Sequence, residues 1–275
     1  MNAIYKKVVL SVLLAGLFPM TAHAHRTWLL PSSTVLEGKE PWITVDAAVS
    51  EDLFDFDTNA QKLDDLVVFG PDGKRVAPEN QFTGKLRSSF DLKLSQAGTY
   101  RISMVSTSIM ASYKLNGEQK RWRGTEAAMS KEIPADATDV QVTRMLGRQD
   151  TFVTLNKTTD TVLKPSGEGL ELVPITHPNE LVAGEKARFR FLLDGKPLAK
   201  HLFGVIPGGV RYRGVLKEIP ITTDDKGEFS VNWPAPGMYW INASYPARVQ
   251  VPAGQTPAPV ARRVSYSATL EVLPQ

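Results

Sequence analysis

Along short stretches of this chain apolar residues recur at every second position, and that period predicts strands rather than helices. Residues 42–49, 66–69, 89–94 and 99–106 carry the pattern early in the chain. Residues 140–144, 152–155, 170–174, 187–193, 203–206, 228–233, 239–244 and 265–272 continue it. Between these runs lie Gly70-Pro71-Asp72-Gly73, Asp194-Gly195-Lys196-Pro197 and Asp224-Asp225-Lys226-Gly227, whose residue types favour tight turns. Only residues 125–131 read as a helix, and a short one. The expected fold class is all-β.

The pattern also repeats. Trp28-Leu29-Leu30-Pro31 is answered by Glu171-Leu172-Val173-Pro174, and Val35-Leu36-Glu37-Gly38-Lys39 by Leu181-Val182-Ala183-Gly184-Glu185. Later in each half, Ala97-Gly98-Thr99-Tyr100-Arg101-Ile102 parallels Pro236-Gly237-Met238-Tyr239-Trp240-Ile241. A glycine turn feeding a tyrosine onto a strand suits the corner of an immunoglobulin-like sandwich. Two tandem immunoglobulin-like β-sandwich domains are therefore expected, residues 25–164 and 165–275, joined near Lys164-Pro165-Ser166-Gly167.

Residues 1–24 have the three parts of a secretory signal: Lys6 and Lys7, an apolar run over residues 8–18, and small Ala22 and Ala24 before a cut. That run is short for a membrane span, and no later run approaches the length needed. The expected product is periplasmic or secreted and begins at His25. Its free α-amine, with a pKa of about 7.7 to 8.0, and its imidazole could then chelate one metal ion. A cut after Ala22 instead leaves His23-Ala24-His25, an amine, backbone amides and a third-position histidine suited to Cu(II) or Ni(II). The plain alternative is a pair of histidines incidental to processing.

Composition narrows the chemistry. The 275 residues include 32 basic and 29 acidic side chains, and removing Lys6 and Lys7 with the signal leaves 30 against 29. Such a balance argues against nucleic acid as a partner. The one basic-aromatic cluster, Lys120-Arg121-Trp122-Arg123, reads as a solvated edge with an anchoring ring. No cysteine is present, so disulfides, thiolate ligands and cysteine nucleophiles are excluded. Of four histidines, His177 stands beside a proline-fixed turn and is a candidate ligand, whereas His201 reads as a surface or strand-edge residue. Asp52, Asp55 and Asp57 stand in an acidic loop that could offer oxygen ligands, or could simply be solvated with Leu53, Phe54 and Phe56 tucked inward. No nucleophile elbow, zinc-protease helix or phosphate loop occurs, and no enzymatic activity is expected. Copper-dependent polysaccharide oxidation, which also uses an N-terminal histidine, is disfavoured by the order of motifs.

The run Ala22-His23-Ala24-His25, then Trp28-Leu29-Leu30-Pro31 and the strand start at Gly38, resembles the NikM-like family of periplasmic proteins. Gly169-Leu170-Glu171-Leu172-Val173-Pro174, Gly195-Lys196-Pro197-Leu198 and Gly227-Glu228-Phe229 resemble it too, so the similarity spans essentially the whole mature chain. The resemblance implies a soluble accessory or carrier in nickel or cobalt handling. With the copper chemistry an N-terminal histidine allows, the expected role is nickel/cobalt (or copper) uptake or homeostasis through His25, with an inner- or outer-membrane metal transporter as partner. His25, His177 and Asp57 are the candidate metal ligands. The competing expectation is a metal-free tandem immunoglobulin-like interaction module that contacts an envelope transporter or receptor.

Overall fold

The computed structural model describes residues 25–247 and 260–275; the signal read in residues 1–24, with His23, lies outside them. The first half runs through β1 (Arg26–Pro31), β2 (Val35–Leu36), β3 (Trp42–Ser50), β4 (Asn59–Ala60), β5 (Leu66–Phe69), β6 (Arg75–Val76), β7 (Glu79–Thr83) and β8 (Ser88–Lys93). Long β9 (Gly98–Leu115), β10 (Glu118–Gly124), helix α1 (Glu126–Glu132) and long β11 (Thr138–Leu155) complete it. After a 3-10 turn at Thr161–Leu163 come β12 (Leu170–Pro174), β13 (Lys186–Leu193), β14 (Lys196–Pro197), β15 (Leu202–Pro207) and helix α2 (Val210–Arg213). β16 (Ile219–Thr222), β17 (Glu228–Asn232), β18 (Gly237–Tyr245) and β19 (Arg262–Val272) end the chain.

The fold is all-β and sandwich-built, and its central feature is a sheet shared by both halves. Ten strands form it, in the order β16-β15-β18-β19-β11-β9-β5-β6, with β10 and β2 attached. The last strands of the two halves, β11 and β19, meet in parallel from Arg144↔Arg262 to Thr151↔Thr269. Outward from that join, β9 and β5 on one side mirror β18 and β15 on the other. Alternation along β11 settles which face each half uses. Val153 and Leu155 pack with Tyr100 and Ile102 in the first core, under the small sheet of β1, β3 and β8. Phe152 points the other way, into the second core with Tyr266, Ala268 and Phe189 of the β12-β13 sheet. The two small sheets therefore cover opposite faces of the shared sheet. Each half leaves part of its shared-sheet face uncovered beside the other half, which makes two clefts, one per face.

The repeated glycine-tyrosine pattern is a repeated corner. Tyr100 donates its hydroxyl to Gln96 O (3.1 Å) and accepts from Gln96 N (2.8 Å). Tyr239 donates to Ala235 O (2.8 Å) and accepts from Ala235 N (3.3 Å). The glycines two residues earlier share one unusual conformation, φ 138° at Gly98 and 133° at Gly237, which strains any other L-residue. Both tyrosines are buried, so each hydroxyl needs the partner it has.

Three expectations change. Residues 140–144 and 152–155 are not separate strands but parts of the single β11. The intervening Gly147, Arg148, Gln149 and Asp150 look like a break, yet their polar groups are matched across the sheet: Asp150 accepts from Arg101 Nη2 and Ser103 Oγ at 2.6 Å each. β1 forms where no strand was expected, its Trp28 and Leu29 buried against the core, and so do β7, β10 and β16. His201 is not a surface residue: it is 7% exposed, its amide donating to Thr223 Oγ1 (2.9 Å) and its ring set against Tyr245. The helix forms as expected, with Thr125 as its N-cap accepting from Ala128 N.

Candidate functional site

Where β1 crosses the uncovered face of β18 and β19, side chains of both halves meet. Trp28, Ala48 and Leu53 pack against Ile206, Val210 and Trp240 in one buried cluster. Trp240 Nε1 donates to Thr27 O (3.1 Å), and Trp28 Nε1 donates to Ser50 Oγ (2.7 Å), so neither indole N–H is wasted by burial. Phe54 and Phe56 close on Trp28 with centroids 5.6 and 5.5 Å away. This packing fixes the start of β1 and with it His25, which is exposed at the edge of the adjoining cleft.

The cleft has a volume of about 280 Å³ and draws on both halves: His25, Arg26, Arg123 and Gln149 from the first, Glu218, Asn242, Ser265 and Ser267 from the second. Its floor is the shared sheet, and it is shaped by small residues. A Cβ at Gly147 would lie 3.1 Å from Ser106 Oγ and 3.4 Å from Ser265 Oγ. A Cβ at Gly204 would lie 1.8 Å from Glu218 Oε1, so only glycine there lets that carboxylate rest over the sheet. Gln149 Oε1 is buried with no hydrogen-bond partner among the described residues. At the rim Arg26 donates from Nη1 to Glu51 O. Partial burial draws the Arg26 pKa down from its usual value, opposed by the charges of Glu218, Asp52, Asp57 and Glu51. The cleft is thus a polar surface of hydroxyls and amides with both charge signs at its margin.

The three candidate ligands occupy different settings. Asp57 belongs to the loop at the His25 end, but its carboxylate ties down that loop. Oδ1 accepts from Glu51 N (3.0 Å) and Thr58 Oγ1 (2.8 Å), and Oδ2 accepts from Asp52 N (2.9 Å). Burial pushes its pKa up, but the hydrogen bonds from Asp52, Thr58 and Glu51 prevail and hold it below the ordinary carboxylate value. His177 sits toward the other end of β11. Its Nδ1 accepts from Asn179 N (3.1 Å), which places the proton of the neutral ring on Nε2, 3.1 Å from Thr99 Oγ1. Thr99 in turn touches Thr154 at 3.0 Å. From Thr154 to Gly147 is roughly 23 Å along the strand, at about 3.3 Å per residue. Burial lowers the His177 pKa, with Glu180 pulling the other way. Among the described residues no three of His, Cys, Asp or Glu are grouped so as to hold a metal ion. The described residues alone thus assemble no such ligand set, and a cut before His25 would add its α-amine to the donors.

Leu53, Phe54 and Phe56 do tuck inward, as the apolar members of the acidic loop. Trp122 does anchor the basic cluster, donating from Nε1 to Glu132 Oε2 (2.8 Å). The partners of His25 in the cleft were not readable. Arg123, Gln149, Glu218 and Asn242 come from four distant segments, and no local spacing connects them.

A family model described as a domain of unknown function, DUF4198, matches residues 22–247. No curated protein matches the chain. Among solved structures, the D0-D1 domain of Intimin is similar at 13% identity and a TM-score of 0.23, over 91% of this chain and 100% of that one. A DUF4785 family protein from Legionella pneumophila shows 9% identity and a TM-score of 0.22, over 78% of this chain and 50% of its own. The tetra-tandem repeat of a large adhesion protein shows 11% and 0.23, over 91% and 75%. TM-scores this low carry no argument about role. No helix among the described residues is long and apolar enough to cross a membrane.

Proposed function

The chain belongs to the DUF4198 family, and from that premise we propose that it is an exported, non-enzymatic immunoglobulin-like binding module that recognises its partner through the cleft at His25. One observation carries this reading: the cleft is polar, open and lined by both halves, with the unpartnered Gln149 carbonyl in its wall. A buried amide oxygen without a donor costs about 1–3 kcal/mol unless a ligand or water supplies one. Small side chains on a rigid sheet leave room for a partner's polar groups to reach the floor. The partner on this reading is an envelope protein, a transporter or receptor.

The test is photo-crosslinking in living cells, with benzoylphenylalanine replacing Asn242 or Ser267 in the cleft and, as control, exposed Glu79 on β7. The same discrete adduct from both cleft positions, absent from the control, is the expected result. No adduct, or an identical pattern from all three, would overturn the reading.

Metal carriage, for the nickel or cobalt a NikM-like resemblance implies or the copper an N-terminal histidine suits, is a second reading, favoured by the position of His25 at this cleft, which Glu218 also lines. It needs a cut that frees the His25 amine. Native mass spectrometry of chain purified from a periplasm, offered Cu(II), Ni(II) and Co(II), distinguishes the two. One ion held tightly, and lost in His25→Ala, supports carriage; a correctly processed chain that stays metal-free leaves the interaction module.

A further inference from the structure

The second cleft lies on the opposite face of the shared sheet, where β5 and β9 run beside the connection into the second half. Its volume is about 380 Å³, and four cationic side chains line it: Arg75, Arg101, Arg148 and Lys164. No acidic side chain is among its lining residues. Such a concentration is unusual on a chain whose overall charge is nearly balanced.

Two of the four cations are held in place from behind. Arg101, 7% exposed, pairs through Nη2 with the fully buried Asp150 at 2.6 Å and donates from Nη1 to Val162 O at 3.4 Å. Burial alone would lower its pKa, but the Asp150 charge overrides this and keeps the guanidinium protonated. Its Nε has no hydrogen-bond partner among the described residues. Arg148 lies 3.7 Å from Glu171, whose carboxylate is already occupied by Ser166 N, Ser166 Oγ and Gly167 N. Arg75 and Lys164 are exposed, and no ion pair neutralises either among the described residues. Two carboxylates thus stand behind four cations, and both lie outside the cleft. The rest of the wall sets apolar Val67, Phe69, Val105 and Val162 beside the hydroxyl residues Ser103, Thr161 and Ser166. A positive rim over an apolar wall suits a ligand with one charged and one apolar end.

We infer that this cleft binds a small organic anion, a carboxylate carried on an apolar body, with the head between Arg75, Arg148 and Lys164 and the body on Phe69 and Val105. The site differs in face and chemistry from the cleft at His25, and Arg148 alone borders both. It stands whether or not that cleft is the recognition surface.

The probes are 2-naphthoate, its neutral counterpart 2-naphthylmethanol, and inorganic phosphate, titrated by calorimetry at low ionic strength. Changing Arg101 would leave Asp150 charged and unpaired in the core and could unfold the chain. The variant of choice is therefore Arg75→Ala with Lys164→Ala, both exposed, its melting temperature compared with the parent's. Expected are naphthoate binding, at least about tenfold weaker binding of the alcohol and of phosphate, and about a tenfold loss of naphthoate affinity in the variant at an unchanged melting temperature. Absence of naphthoate binding, equal affinity for acid and alcohol, phosphate binding as well as naphthoate, or a variant that binds like the parent would each overturn it.

Discussion

His177 and His201 are both covered in the fold, and burial, the largest influence on each, moves their pKa values below the ordinary 6.5. Each therefore stays neutral in the folded chain at a pH where the unfolded chain is already taking up protons. The unfolded state binds more protons, so stability rises with pH through this window. It is fully present above the unfolded value near 6.5 and is lost as pH falls from there toward the lowered folded values. Urea midpoints should therefore drop between about pH 7.5 and pH 5, before most carboxylates titrate. His201→Phe should flatten part of that slope; an unchanged slope would show that His201 is not buried neutral. Its burial could not be read locally, because Thr223 and Tyr245 cover it from other strands. The two corner tyrosines were readable, because a glycine at positive φ followed by tyrosine is a local pattern and its hydrogen bonds close within four residues.

At the level of elements, short alternating runs announced most of the longer strands, and two of the exceptions, β11 and β1, trace to contacts made only in the fold. β11 was divided by its charged middle, since an interior Arg148 and Asp150 contradict an apolar alternation until Glu171 and Arg101 are placed behind them. β1 was hidden because Trp28 is buried not within one sandwich but at the junction of two. That junction should matter more than other aromatic sites. Trp240→Ala removes a ring that is 5% exposed and packed against Trp28, and should cost about 3–5 kcal/mol in urea unfolding. Trp122→Ala, on a half-exposed ring of β10, should cost about 1 kcal/mol, the scale of its hydrogen bond to Glu132. Equal costs would mean that the junction contributes nothing special.

For the whole molecule, the repeat revealed two sandwich-like halves, but not how they meet. The β11–β19 pairing joins segments more than a hundred residues apart and leaves no period behind it. The separation of His177 from His25 and the existence of two opposed clefts both follow from that pairing. For the same reason the candidate ligands could be named from the sequence while their placement could not. Both binding proposals depend on the join, since each cleft sets one half's open sheet face beside the other half. The absence of native cysteine makes the join directly testable. Gln149 and Ser267 are register partners on neighbouring strands and face the same cleft. Neighbouring strands lie about 4.8 Å apart, within the roughly 4.4–6.8 Å that a disulfide spans between Cα atoms. Gln149→Cys with Ser267→Cys should form an intramolecular disulfide on mild oxidation. Gln149→Cys with Asn242→Cys, two strands apart, should not. Failure of the first pair to link, or equal linking by both, would contradict the shared sheet and both clefts with it.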